Sequence, residues 1–154
     1  MTATGPTVLI VEAPFYADIT DQLAAGAIAA LEQAGFAHDR VAVPGVYEIP
    51  AAIRFALRAM ELGAASRRYA GFVTLGCVIR GETDHYEFIS RSALDSLIAL
   101  TTDFSIAHGL GILTVENQEQ ARVRADVNGK NLGGRAAEAC LRMIELKTHF
   151  HLAT

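Results

Sequence analysis

Short apolar runs alternate with stretches of helical spacing along this chain. The run "TVLIVEA" (7–13) is bounded by Gly-Pro and Pro and reads as a buried strand. From Asp18 to Ala34, apolar residues recur as Ile19, Leu23, Ala27, Leu31 and Ala34, the spacing of a helix that "AGF" closes. The run "RVAVPG" (40–45) predicts a second strand ended by Pro-Gly. Ile49, Ile53, Leu57 and Met60 mark a second helix, stopped by Gly63. A third strand, "YAGFVTLGCVI" (69–79), precedes a helix carrying Ile89, Ala93, Leu97 and Leu100. The fourth strand is "LGILTV" (110–115), followed by a short polar helix, "ENQEQARVRA" (116–125). A last helix places Ala136, Cys140, Met143 and Ile144 on one face.

Strands that alternate with helices and read as continuous apolar runs belong to a parallel sheet covered on both faces. The pattern predicts one domain over residues 1–154, a three-layer α/β/α sandwich around a four-stranded parallel sheet. Ligands of such sheets bind beyond the carboxyl ends of the strands. Four segments converge on that edge: "APFYAD" (13–18), "PGVYEIP" (44–50), "IRGETDHYEF" (79–88) and "VENQEQ" (115–120).

Composition narrows the classes without choosing one. The 154 residues are 51% hydrophobic, enough for a real core, and the net charge is -4 with both signs scattered. No basic face points to nucleic acid and no polybasic stretch to a membrane surface. No apolar run approaches the roughly 20 residues of a membrane span, and the start lacks the pattern of a secretory leader. Cys77 and Cys140 sit in apolar contexts without metal-like spacing, as expected of buried thiols in a reducing cytosol. The first strand is followed by neither a GxGxxG nor a Gly-rich Lys-Ser/Thr loop, which argues against dinucleotide and P-loop sites.

The chemistry concentrates in the third turn. Gly81 lets backbone approach a ligand, Thr83 adds a hydroxyl, and free N–H groups at a helix start attract anions. The plainer alternative is that Thr83 or Asp84 simply caps the next helix. His85 stands beside this turn with an ordinary pKa of roughly 6.5, suited to general acid/base work, though an exposed first-turn histidine is the simpler reading. His38, His108, His149 and His151 have no motif around them and read as surface groups.

The ordered blocks "EAPFY", "VPGVYEIPAAI", "GFVTLGCVIRGETDHYEFI" and "GILTVENQEQARVRA" together resemble the lumazine synthase family of riboflavin biosynthesis. The resemblance runs from about Thr7 to Ile144, and the pairing of "VIRGETDH" with "PGVYEIP" makes it specific. It implies a flavodoxin-like strand order. It also implies condensation of 5-amino-6-(D-ribitylamino)uracil with 3,4-dihydroxy-2-butanone 4-phosphate, without cofactor or metal. Position by position, the resemblance makes Phe15 the stacking partner of the pyrimidine. Val46, Tyr47 and Glu48 would line the ribityl chain, and Cys77, Val78 and Ile79 would meet the uracil edge. Glu82 and Thr83 would hold the phosphate with Arg124, the latter from a neighbouring subunit, while His85 would shuttle protons. Leu110 would take the ring contact that an aromatic residue makes elsewhere in the family.

The chain departs from the family at several of these places. Glu82 replaces a small residue, Tyr16 stands where Asn is frequent, and Leu132 stands where a substrate-side lysine is common, with Lys130 two residues earlier. The changes at Leu110 and Leu132 leave a second class open, a flavin or lumazine binder without synthesis. The resemblance further implies a cytoplasmic homopentamer with sites between subunits, small-molecule substrates, no nucleic acid or membrane, and riboflavin synthase as a candidate partner.

Overall fold

In the computed structural model of the chain, residues 5–81 and 86–152 are described. Strand β1 (Thr7–Glu12) leads into helix α1 (Ala17–Gln33), and β2 (Ala37–Ala42) into a 3-10 turn (Val46–Glu48) and α2 (Ile49–Glu61). Then follow β3 (Tyr69–Ile79), α3 (Tyr86–Phe104), β4 (His108–Val115), α4 (Gln118–Ala125) and α5 (Leu132–His149). The four strands form one sheet in the order β2-β1-β3-β4, and every pairing is parallel. Helices cover both faces, so the α/β/α expectation and the flavodoxin-like order both hold.

The sheet separates two apolar cores. One joins β-strand residues Val8, Ile10, Val73 and Leu75 to α1, α4 and α5; the other joins Leu9, Val11 and Phe72 to α2 and α3. Alternate residues of each strand point to opposite faces, which explains why a continuous apolar run is needed. Small residues allow close layers. A Cβ on Gly133 would collide with the Leu23 carbonyl, so glycine there lets α5 seat directly on α1.

Two strands differ from expectation. β2 begins at Ala37 rather than Arg40, because it is an edge strand whose register is set by pairing with β1, from Thr7 with Ala37 to Glu12 with Ala42. One neighbour instead of two leaves room for polar side chains: Arg40 Nε donates to Glu12 Oε2 at 2.7 Å, and the Tyr69 hydroxyl donates to Asp39 Oδ2 at 2.8 Å. β4 starts two residues early, at His108. That corrects the reading of His108 as a surface group, since its Nε2 is hydrogen-bonded to Thr74 Oγ1 at 2.8 Å and burial lowers its pKa to about 4. His38 is half-buried on β2, while His149 and His151 are exposed as expected.

Candidate functional site at the carboxyl edge of the sheet

A cavity of about 160 Å³ opens where β1, β2 and β3 end. Phe15 and Tyr16 form one wall, from the loop between β1 and α1. Their rings meet edge to face, with centroids 5.0 Å apart. Phe15 is 73% exposed, so one flat apolar surface remains uncovered and available to a heterocycle.

Gly45 and Val46 supply the second wall. The Pro-Gly pair ends β2, and Val46 then opens the 3-10 turn that leads into α2. Gly76 makes this seating possible, because a Cβ there would lie 2.9 Å from Val46 Cγ2. Tyr47 and Glu48 stand on the same turn, both exposed, but neither lines the cavity. The Glu48 carboxylate folds back over Gly45, with Oε2 3.1 Å from where a Cβ would stand.

The strand end Cys77–Val78–Ile79 forms the floor, and Ile89 of α3 closes the far side. Cys77 and Ile79 belong to the core beneath α1 and α5, while Val78 packs toward α2 and α3. Cys77 and Ile79 therefore turn their side chains away, and their contribution to the cavity is strand-end backbone. Burial, with the charge of Asp18 as a smaller cause, pushes the Cys77 thiol up to about 11. The thiol stays neutral near pH 7 and is no nucleophile.

Beyond Ile79 the chain turns at Gly81, whose φ of 82° lies in the left-handed region that favours glycine. Arg80 is occupied, its guanidinium 3.3 Å from Glu116. The residues expected to bind phosphate and transfer protons, Glu82, Thr83 and His85, lie outside the described residues, as does Asp84.

Leu110 and Arg124 do not join the cavity of this chain. Leu110 sits on β4 paired with Thr74, half exposed on the face that α2 and α3 leave open at the sheet edge. Arg124 lies on α4, whose Ala121 and Ala125 are buried in the opposite core. Its guanidinium donates to the Gln120 carbonyl at 3.2 Å and meets no carboxylate among the described residues. Leu132 packs against the α1/α5 core, and Asn131 before it caps α5 by accepting from the Gly134 amide at 3.2 Å. This link therefore serves the helix start.

The cavity thus unites Phe15, Val46, Cys77, Val78 and Ile79. Sequence reasoning missed Gly45 and Ile89 as lining residues and treated Tyr16 only as a departure. Adjacency to Phe15, and the place of Ile89 one helical turn after His85, were the available signals. Among the described residues, no three His, Cys, Asp or Glu side chains cluster as metal ligands.

The family description 6,7-dimethyl-8-ribityllumazine synthase matches residues 5–148. A 6,7-dimethyl-8-ribityllumazine synthase of Paramagnetospirillum magneticum is 49% identical over 147 residues, covering 96% of this chain and 98% of that relative. One from Bartonella tribocorum is 52% identical over 145 residues, with 94% and 92% of the two chains covered. Another, from Agrobacterium fabrum, is 50% identical over 142 residues, with 92% and 95% covered. By its blocks of motif, its fold and these relatives, the chain belongs to the 6,7-dimethyl-8-ribityllumazine synthase family.

Proposed function

We propose that this chain is a working 6,7-dimethyl-8-ribityllumazine synthase. It condenses 5-amino-6-(D-ribitylamino)uracil with 3,4-dihydroxy-2-butanone 4-phosphate and releases phosphate, as a step of riboflavin biosynthesis. The observation that carries this reading is the apolar cavity between the Phe15 ring, Val46 and the end of β3, set directly before the Gly81 turn. A flat ring fits against Phe15 with its polar edge on the backbone of Cys77 to Ile79. Val46, Tyr47 and Glu48 receive the ribityl chain, and Glu48, exposed beside Gly45, is free to accept sugar hydroxyls.

The second substrate brings a phosphate. Glu82 and Thr83 cradle it, and His85 moves protons as the amine attacks the ketone, a Schiff base forms, phosphate leaves and the ring closes. The substrate amine is itself the nucleophile, so the protein's task is alignment and proton transfer. No cofactor or metal takes part.

Arg124 and Leu110 complete the site from a neighbouring subunit. That neither lines the cavity of its own chain supports this, as do the exposed apolar residues Phe55, Phe88 and Ile98 on α2 and α3. A heterologous interface repeated around an axis closes into a ring. The reading is a cytoplasmic homopentamer of single-domain chains, with riboflavin synthase as a candidate partner.

Turnover with both substrates, followed by lumazine fluorescence and phosphate release, tests the activity. Product binding without turnover would replace the enzyme by a binder, the reading that Leu110 in place of an aromatic would favour. Light scattering on a sizing column tests the assembly: a particle about five times the 16.4 kDa chain is expected. A 60-subunit particle refutes the free pentamer, and an active monomer refutes the shared site.

A further inference from the structure

A larger cavity, about 380 Å³, opens at the other end of the sheet, where β3 and β4 begin and α2, α3 and α5 end. Its floor is carbon: Leu57, Phe72 and Ile106 are all buried. Tyr69 and Phe104 add aromatic walls. The Tyr69 hydroxyl is held by Asp39 at 2.8 Å, and the Arg54 guanidinium lies 4.5 Å from the centre of the Phe104 ring.

The charges lining this cavity are unevenly committed. Its carboxylate, Glu61, is already engaged by Arg54 and Arg58 at 3.1 Å each. Arg68 and Lys147 also line it, and neither has an ion-pair partner among the described residues. Burial holds the pKa of Lys147 below the ordinary lysine value, so its ammonium has lost water without gaining a counter-charge. Lys147 can be read as a last-turn cation answering the carbonyl end of α5. Arg68 precedes β3, belongs to no helix and is exposed, so it stands at the mouth of the cavity with its charge open to a ligand as well as to water. The helix carbonyl ends carry about half a negative charge each and are spread around the rim, whereas the two cations are full charges.

We propose that this cavity binds a small planar organic anion, a one- or two-ring aromatic carboxylate whose ring lies against Tyr69, Phe72 and Phe104 and whose anionic group is held by Arg68 and Lys147. The volume of about 380 Å³ falls in the range of small-molecule sites, and the lining offers both apolar and polar surface. The guanidinium of Arg68 offers the paired donors that match a carboxylate, and Lys147 adds a point charge. On β3 one cavity is lined by Tyr69 to Phe72 and the other by Cys77 to Ile79, so their centres are about 25 Å apart by strand rise, and one small ligand cannot reach both. The proposal does not rest on the catalytic reading.

Calorimetric titration of the native assembly with 2-naphthoate, and with the uncharged 2-naphthamide, tests it. The acid is expected to bind at least about tenfold more tightly than the amide. Arg68→Gln combined with Lys147→Met should remove most of that advantage, about tenfold or more, and leave the weak amide binding unchanged. Saturating pyrimidine substrate should not displace the acid, and turnover of the double variant should stay within about twofold of the parent. Absence of naphthoate binding, equal binding of acid and amide, or displacement by the pyrimidine overturns the proposal. The acid–amide comparison on the unaltered protein decides the matter even if the double variant folds poorly.

Discussion

At its carboxyl end, β3 meets a small apolar cavity walled by loops; at its amino end, the same strand meets a larger one walled by helix ends and by two cations without an ion-pair partner among the described residues. The asymmetry follows from a parallel sheet. Every strand leaves the sheet at the same edge, so the loops that can vary in chemistry gather there, with helix N-termini aimed inward. The amino edge receives the carbonyl ends of the helices, which attract Arg and Lys. Arg58 and Lys147 stand in the last turns of α2 and α5 accordingly. The carboxyl edge therefore needs few charges of its own to attract an anion. The amino edge can take one only with full cations, and Arg68 and Lys147 are placed to supply them.

The sharpest way to break this contrast is at the carboxyl edge. His85→Ala is expected to lower turnover by about 10- to 1000-fold while product-analogue binding changes little, within or below the usual worth of a proton-transfer group because the substrate amine is itself nucleophilic. Unchanged turnover would remove His85 from the mechanism. Arg124→Ala should next weaken the butanone phosphate by about 1.5–3 kcal/mol, the worth of a charge-assisted bond, and spare the pyrimidine. Equal loss for both substrates in steady-state kinetics would end that division of labour.

At the amino edge, effects should appear in stability instead. The pKa of His108 falls from 6.5 to about 4 on folding, so the unfolded chain binds the extra proton between these values. Stability from this group is present above pH 6.5 and declines as the pH falls toward 4, by about 3 kcal/mol in total. Denaturant titration across that window should show the slope, and His108→Gln should flatten it. Tyr69→Phe loses the 2.8 Å bond to Asp39 and should cost about 1 kcal/mol of stability with turnover unchanged. A fall in turnover would mean that the two ends of β3 are coupled.

Much of the fold was legible because its signals are local. The apolar runs of β1 and β3 are long and bounded by breakers, so their limits agree closely with the structure. β2 was misplaced by three residues since half of it is polar; "AHD" is tolerated only because an edge strand has one open side. His108 was misread for a related reason. A histidine beside a glycine looks like a loop residue until Thr74 of the neighbouring strand is seen to hold it. Of the site, Phe15, Val46 and the end of β3 were legible through their motifs. Ile89 was not, because a helix-face residue looks the same whether it meets a core or a cavity.

By itself the sequence determined the alternation of strand and helix, the edge at which the motif residues gather and the family, since each depends on residue types at short, fixed spacings. The tertiary structure alone decided which of the motif residues share a cavity, that Thr74 of the neighbouring strand holds His108, and that Leu110 and Arg124 do not line the pocket of their own chain. It also decided that two cations and three aromatic rings, from segments far apart in the chain, line a single cavity at the opposite edge. The physical reason is the same in every case. Spacing along the chain reports periodicity, but contact depends on register and layer packing, and those are set by pairings between segments that no local pattern records.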